Sequence, residues 1–196
     1  MNLPVFRLTL DEVVDGIEKM SLVKDPAVEK KFMAFSKEND LNHLVTLSID
    51  EVKRMVFGVA LRCNYPIYRK NGEKEYFVVF DRETIEEAYV EFMKNPNRVN
   101  LNHIRGVEGV YLTDSFIKDT EKGLNPKGFE DIEDGSWFCG YKIENDEVWE
   151  KVKNGELNGF SVEGLFSYED TNIEIEMKKE EKDEMETLID KLLEKE

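Results

Sequence analysis

Two residues have the types and settings that covalent chemistry needs, Ser161 and His103. Ser161 lies in GELNGFSVEGLF, Gly155 to Phe166, a stretch that reads as a strand entered from a tight turn. Phe160, Val162 and the Leu165–Phe166 pair supply apolar surface, and period-two alternation turns Ser161 and Glu163 to the other side. Gly159 and Gly164 flank the serine, so another backbone or a substrate can approach closely. His103 lies in VNLNHIRG, a second strand-like segment, and the only other histidine, His43, is in a polar loop. A serine hydroxyl is a weak nucleophile at neutral pH and needs an adjacent base. His103 is the natural candidate, and the pair makes serine-protease chemistry possible.

A base of this kind needs a third group to fix its tautomer and stabilise the imidazolium. Asp114, on the strand expected after His103, Glu163, on the Ser161 face, and Glu174 or Glu176 near the C-terminus all qualify. With 43 acidic residues in the chain, the presence of a carboxylate does not choose among them. The serine setting is not the GxSxG nucleophile elbow, because Gly164 stands three residues after Ser161. Cys139, in GSWFCGYK, is a rival nucleophile, although a thiol on an apolar strand is ordinarily a buried small hydrophobe. No HExxH motif, Cys/His cluster or glycine-rich phosphate loop occurs, so neither metal nor cofactor is expected.

The elements that must position these groups are mostly strands. Pro4–Leu10 and Gly16–Val23 read as strands, as do Phe32–Phe35 and one or two more between Leu44 and Leu61. Asn71–Gly72 joins Pro66–Arg69 to Glu75–Phe80 with a hairpin signal. A helix is expected over Asp81–Asn95, capped by Asp81 and closed by Pro96, with Ile85, Ala88, Tyr89, Phe92 and Met93 on its apolar face. Arg98–Ile104 and Gly109–Ile117 read as a hairpin turning at RGVE. A polar loop, 118–135, is long enough to gate a site. Ser136–Ile143 is a strand, and Asp146–Asn154 a short helix stopped by Gly155 with Val148, Trp149 and Val152 inward. After Phe166 the composition turns acidic, with 12 acidic and 5 basic residues over 167–196. A last short strand is followed there by an amphipathic helix carrying Met185, Leu188, Ile189, Leu192 and Leu193. The expected class is α+β, mainly β: a barrel or bent sheet decorated with helices. Residues 1–168 form the domain and 169–196 an acidic tail.

The chain has 196 residues, enough for one domain with a real core, and a net charge of −16. That charge argues against nucleic acid as a partner, because a nucleic-acid surface needs clustered Lys and Arg. Two cysteines without CxxC spacing fit a reduced compartment. No signal pattern or long apolar run predicts secretion or a membrane span.

Several stretches in order, MSLVKDPAVEKKFMAFS, GVALRCNYPIYR, EYFVVFDRETIEEAYVEFM, VNLNHIRGVEGVYLTDSFI and GSWFCGYKIENDEVWEKVKNGELNGFSVEGLF, resemble the XkdF-like serine proteases of tailed phages and prophages, relatives of prohead maturation proteases. The resemblance runs from about residue 5 to residue 168. It implies a fold similar to the herpesvirus assemblin proteases, a β-barrel ringed by helices. It also implies a serine nucleophile and a histidine base, which fall on Ser161 and His103. Herpesvirus-type enzymes complete the site with a second histidine, and none follows Ser161 here. An acid must serve or the site is a dyad; the position of Asp114 tends to be acidic in XkdF-like sequences, which ranks it before Glu163. The implied role is cleavage of scaffold protein, or of the scaffold-like part of the major capsid protein, with self-cleavage common among relatives. Scaffold, major capsid protein and further copies of the chain are then the partners. The implied location is the assembling procapsid in the host cytoplasm.

Overall fold

Twelve strands and two helices make up the part of the chain described by the computed structural model, residues 2–10, 16–23, 47–72, 74–94, 96, 99–101 and 105–176. The expected strand at Phe32–Phe35, His43, His103 and the amphipathic segment after Glu176 lie outside the described residues.

The first sheet has the order β12-β1-β6-β5. Its strands are β1 (Asn2–Thr9), β5 (Ile67–Asn71), β6 (Lys74–Val79) and β12 (Ser167–Glu176). The β5–β6 hairpin turns as the sequence predicts, with Gly72 at φ +61°, a conformation that favours glycine. β1 is an inner strand, antiparallel to β12 and parallel to β6. Both of its faces are apolar: Leu8 joins the main core, while Leu3 and Val5 bury with Tyr68 and Phe77 on the opposite face. A division of the chain at residue 168 falls inside β12, which is hydrogen-bonded to β1 along its length.

The second sheet runs β3-β4-β10-β9, from β3 (Leu47–Asp50), β4 (Met55–Leu61), β9 (Val110–Ile117) and β10 (Trp137–Ile143). β10 is buried throughout except at Lys142, because both of its faces are covered. Trp137, Cys139, Tyr141 and Ile143 enter the main core. Phe138 points the other way and clusters with Phe57 and Phe116 at ring-centroid distances of 5.6 and 5.7 Å, those two rings being 6.0 Å apart. The loop from 118 to 135 lies over these rings through Phe129 and Ile132.

The third sheet, β11-β2-β7-β8, holds β2 (Gly16–Val23), β7 (Val99–Leu101), β8 (Arg105–Gly106) and β11 (Gly159–Leu165). Met20, Leu22, Val99, Leu101 and Phe160 join the main core, to which all three sheets contribute.

Helix α1 (Arg82–Met93) begins as expected: the Asp81 carboxylate accepts the Thr84 N–H at 2.9 Å. Ile85, Ala88 and Phe92 are buried, whereas Met93 at the last helical position is exposed. Phe92 and Tyr89 meet the Trp137 ring edge-on at 5.2 and 5.9 Å. Helix α2 (Asp146–Lys153) buries Val148, Trp149 and Val152 and delivers the chain to β11.

The protein is mainly β with few helices. The expected barrel is not formed: the described strands make three separate four-stranded sheets, none of which closes on itself. Alternation specifies which face of a strand is buried, but not whether the first and last strands of a sheet meet. Among the described residues no helix is long and apolar enough to cross a membrane.

Candidate active site

Ser161 sits on β11, an edge strand of its sheet, opposite Ser21 on β2. Phe160 is fully buried in the core and Val162 packs against it, so Ser161 and Glu163 face away from the core as their alternation requires. Ser161 is half-buried. Ser21, on the inner strand, is fully buried, and its hydroxyl donates to Glu163 Oε1 at 2.6 Å. A hydroxyl–carboxylate bond of that length is charge-assisted and stronger than a neutral one. The register slips directly after Glu163, which pairs with Lys19 while Gly164 pairs with Ile17. Such a bulge bends the strand and re-aims side chains. The extra residue is Glu18 on β2, so the bulge lies in the inner strand, opposite the step from Glu163 to Gly164.

β7 runs parallel to β2, with Asn100 in register with Ser21, and β8 turns back beside it. His103 lies outside the described residues, in the 102–104 connection between Leu101 and Arg105. Both flanking strands belong to the sheet that carries Ser161.

Asp114 is not brought to this sheet. The expected hairpin between the His103 strand and the Asp114 strand is replaced by two separate pairings. β7 pairs with the two-residue β8, and β9 pairs with β10 in the second sheet. There Asp114 faces Gly140, and a Cβ added at Gly140 would stand 2.8 Å from Asp114 Oδ2. Asp114 is exposed on the Phe138 side of that sheet, the side turned away from the main core. Ser161 also faces away from the core, but from a different sheet. Glu174 and Glu176 are on β12 in the first sheet, and Glu174 accepts from Asn2 Nδ2 at 3.1 Å. Of the carboxylates proposed from sequence, Glu163 is the one that shares a strand face with Ser161.

The rival nucleophile is removed by burial. Cys139 is fully inaccessible, its Sγ 3.8 Å from Ser115 Oγ, and burial pushes its thiol far above the ordinary range. The 118–135 loop is not free to gate the site. The Lys118 ammonium is buried and donates to the carbonyls of Phe129, Glu130 and Ile132. Asp134 accepts from the Thr120 N–H and hydroxyl, each at 2.8 Å. These bonds fix the loop on the outer face of the second sheet.

Sequence reasoning missed Ser21. Nothing in MSLVKDPA marks that serine, since its role depends on a pairing with a strand far along the chain.

The sequence pattern of the family described as "Putative phage serine protease XkdF" matches residues 42–169. The chain belongs to that family. The matched span contains His103, Asp114, Ser161 and Glu163; β1 and β2 lie before it. Two curated relatives, both from Bacillus subtilis (strain 168), are similar over about the same share of the chain. The phage-like element PBSX protein XkdF is 26% identical over 151 residues, 76% of this chain and 47% of its own length. The uncharacterized protein YqbD is 26% identical over 153 residues, 76% of this chain and 44% of its own. The chain thus spans less than half the length of the curated relatives it matches. No solved structure matches.

Proposed function

We propose that this XkdF-family chain is a serine endopeptidase of phage head maturation, with Ser161 as nucleophile, His103 as general base and Glu163, in preference to Asp114, as the orienting acid. The observation that carries the reading is the placement of Ser161 and Glu163 on one face of an edge strand, in the sheet whose β7 and β8 flank His103. In the reaction His103 takes the Ser161 proton as the oxygen attacks the scissile carbonyl. The imidazolium then returns the proton to the leaving amine, and water resolves the acyl-enzyme by the same route. Backbone N–H groups hold the oxyanion, each worth roughly 2.7–4 kcal/mol in a known protease.

The substrates are scaffold protein or the scaffold-like part of the major capsid protein, cut inside the assembling procapsid in the host cytoplasm, with self-cleavage and self-association as parts of the same reading. A herpesvirus-protease-like relationship and an acidic helical tail after β12 belong to it as well. The family membership supports the phage and protease parts of this proposal, and the strand geometry supports the choice of acid.

The test is intact mass after fluorophosphonate treatment, with and without co-expressed capsid protein. Wild type takes one adduct, mapped to Ser161. Ser161→Ala takes none, and His103→Ala reacts about a thousandfold more slowly or worse, as interdependent groups do. Glu163→Gln slows labelling far more than Asp114→Asn. An adduct that persists in Ser161→Ala, or no adduct under either condition, overturns the reading in favour of a non-catalytic assembly component.

A further inference from the structure

The buried polar side chains among the described residues are Ser21, Thr84, Lys118, Asp119 and Ser136. Thr84 donates to the Leu8 carbonyl, Lys118 to three loop carbonyls, Asp119 accepts from Lys122 and Arg82, and Ser136 accepts the Cys63 N–H. Thr84, Lys118 and Ser136 bond to backbone groups, and Asp119 pairs with cationic side chains. Ser21 donates to a carboxylate on the face that carries Ser161. We propose that Ser21 is a positioning residue, whose hydroxyl holds the Glu163 carboxylate in place on the face that carries Ser161. The proposal rests on the reading of Ser161, His103 and Glu163 as one catalytic group, and it lies outside the span that defines the family match.

Three features carry it. Ser21 is on the inner strand of the sheet, held on one side by β11 and on the other by β7, so its Cβ position is fixed by two ladders. Its fully buried hydroxyl donates at 2.6 Å. A charge-assisted bond of that length from a fixed donor favours one carboxylate position over others. Glu163 itself is on an edge strand, opposite a bulge in β2, and its backbone alone leaves a long side chain several rotamers. A carboxylate meant to hold an imidazole must be placed to within a fraction of an ångström. The edge strand supplies the group and the inner strand supplies its rigidity.

The experiment measures the second-order rate of fluorophosphonate labelling of Ser161 in wild type, Ser21→Ala, Ser21→Thr, Glu163→Gln and the Ser21→Ala/Glu163→Gln double variant. Circular dichroism melts establish that each variant is folded at the assay temperature. Ser21→Ala labels about ten- to a hundredfold more slowly, the range expected when a supporting group is misplaced by about an ångström. Ser21→Thr keeps the hydroxyl on a β-branched side chain suited to a strand and recovers most of the rate. In the Glu163→Gln background Ser21→Ala adds little, because the two act through one interaction. The proposal is overturned if Ser21→Ala labels like wild type, or if it slows the Glu163→Gln background as much as the wild-type one, the signature of a general structural role. Failure of wild type itself to label Ser161 instead removes the catalytic reading, and the positioning role with it.

Discussion

Replacing Lys118 by Met separates the loop's structural role from the chemistry of the site. The ammonium is buried and donates to the carbonyls of Phe129, Glu130 and Ile132, of which the Glu130 bond is partly exposed. Met has similar length and apolar character, so little volume is lost, but the Ile132 carbonyl loses the ammonium and the Phe129 carbonyl keeps only the Ile132 N–H. An orphaned buried acceptor costs about 1–3 kcal/mol and a lost bond from a charged donor about 1.5–3 kcal/mol, giving about 2.5–6 kcal/mol for the two. Removing a buried charge returns part of its desolvation cost, which brings the net toward about 3 kcal/mol. For a domain of this size about 1 kcal/mol moves Tm by about 2–4 °C, so the midpoint falls by about 6–12 °C. The assays are a thermal melt and limited proteolysis, with new cleavage expected within 119–135. Below the melt, fluorophosphonate labelling of Ser161 should be unchanged, because the loop covers the Phe138 face of the second sheet rather than the β11 face. A Tm within 2 °C of wild type, a shift below about 1 kcal/mol, refutes the carbonyl accounting. A labelling rate that falls as loop cleavage rises refutes the separation of loop and site.

Two further outcomes follow from other groups. The Thr120 N–H and hydroxyl hold the Asp134 carboxyl below its ordinary value of 3.8, so its contribution is present above that pH and is lost as pH falls through the lower folded-state value. The Tm difference between wild type and Asp134→Ala should therefore be positive at pH 6 and shrink below pH 3.8; a difference constant from pH 6 to pH 2 would count against the carboxylate's role. Burial pushes the Cys63 thiol up to about 11 and the Cys139 thiol higher, so neither should react with a disulfide reagent in native protein at pH 8, and both should react in denaturant. Rapid native reaction of Cys139 would reopen its candidacy as a nucleophile.

Local signals were the legible ones. Asp81 before RETIEEAY marks a helix start because the cap bond is made three residues away, and Asn71–Gly72 marks a hairpin because the turn's geometry resides in those residues. Ser161 and Glu163 could be assigned to one face by counting along a single strand. The acid on the next strand could not. Two apolar runs separated by RGVE read as a hairpin, yet Asn100 and Leu101 pair with Gly106 and Arg105, and the following strand joins another sheet. The Gly109 carbonyl accepts the N–H groups of Glu144 and Asn145 as the chain enters the second sheet. Which sheet a strand joins depends on pairings such as Asp114 with Gly140, and no periodicity records them. Ser21 was hidden for the same reason, and so was the openness of the sheets.

The pairing of early strands with late ones also sets when the site can exist. Ser21 and Glu163 are separated by 142 residues, and β1 has its antiparallel partner in β12, among the last described residues. At about 5–20 residues per second, a ribosome spends about 7–28 s between placing Ser21 and placing Glu163. During that interval β2 has no antiparallel partner and the N-terminal strand lacks one edge. Contacts of such separation form slowly and late, because a long loop must close before they return anything. Ser161, Glu163 and Ser21 therefore come together only after the polypeptide has left the decoding centre well behind. A nascent chain carries these residues without their arrangement, which begins as a property of the folded protein.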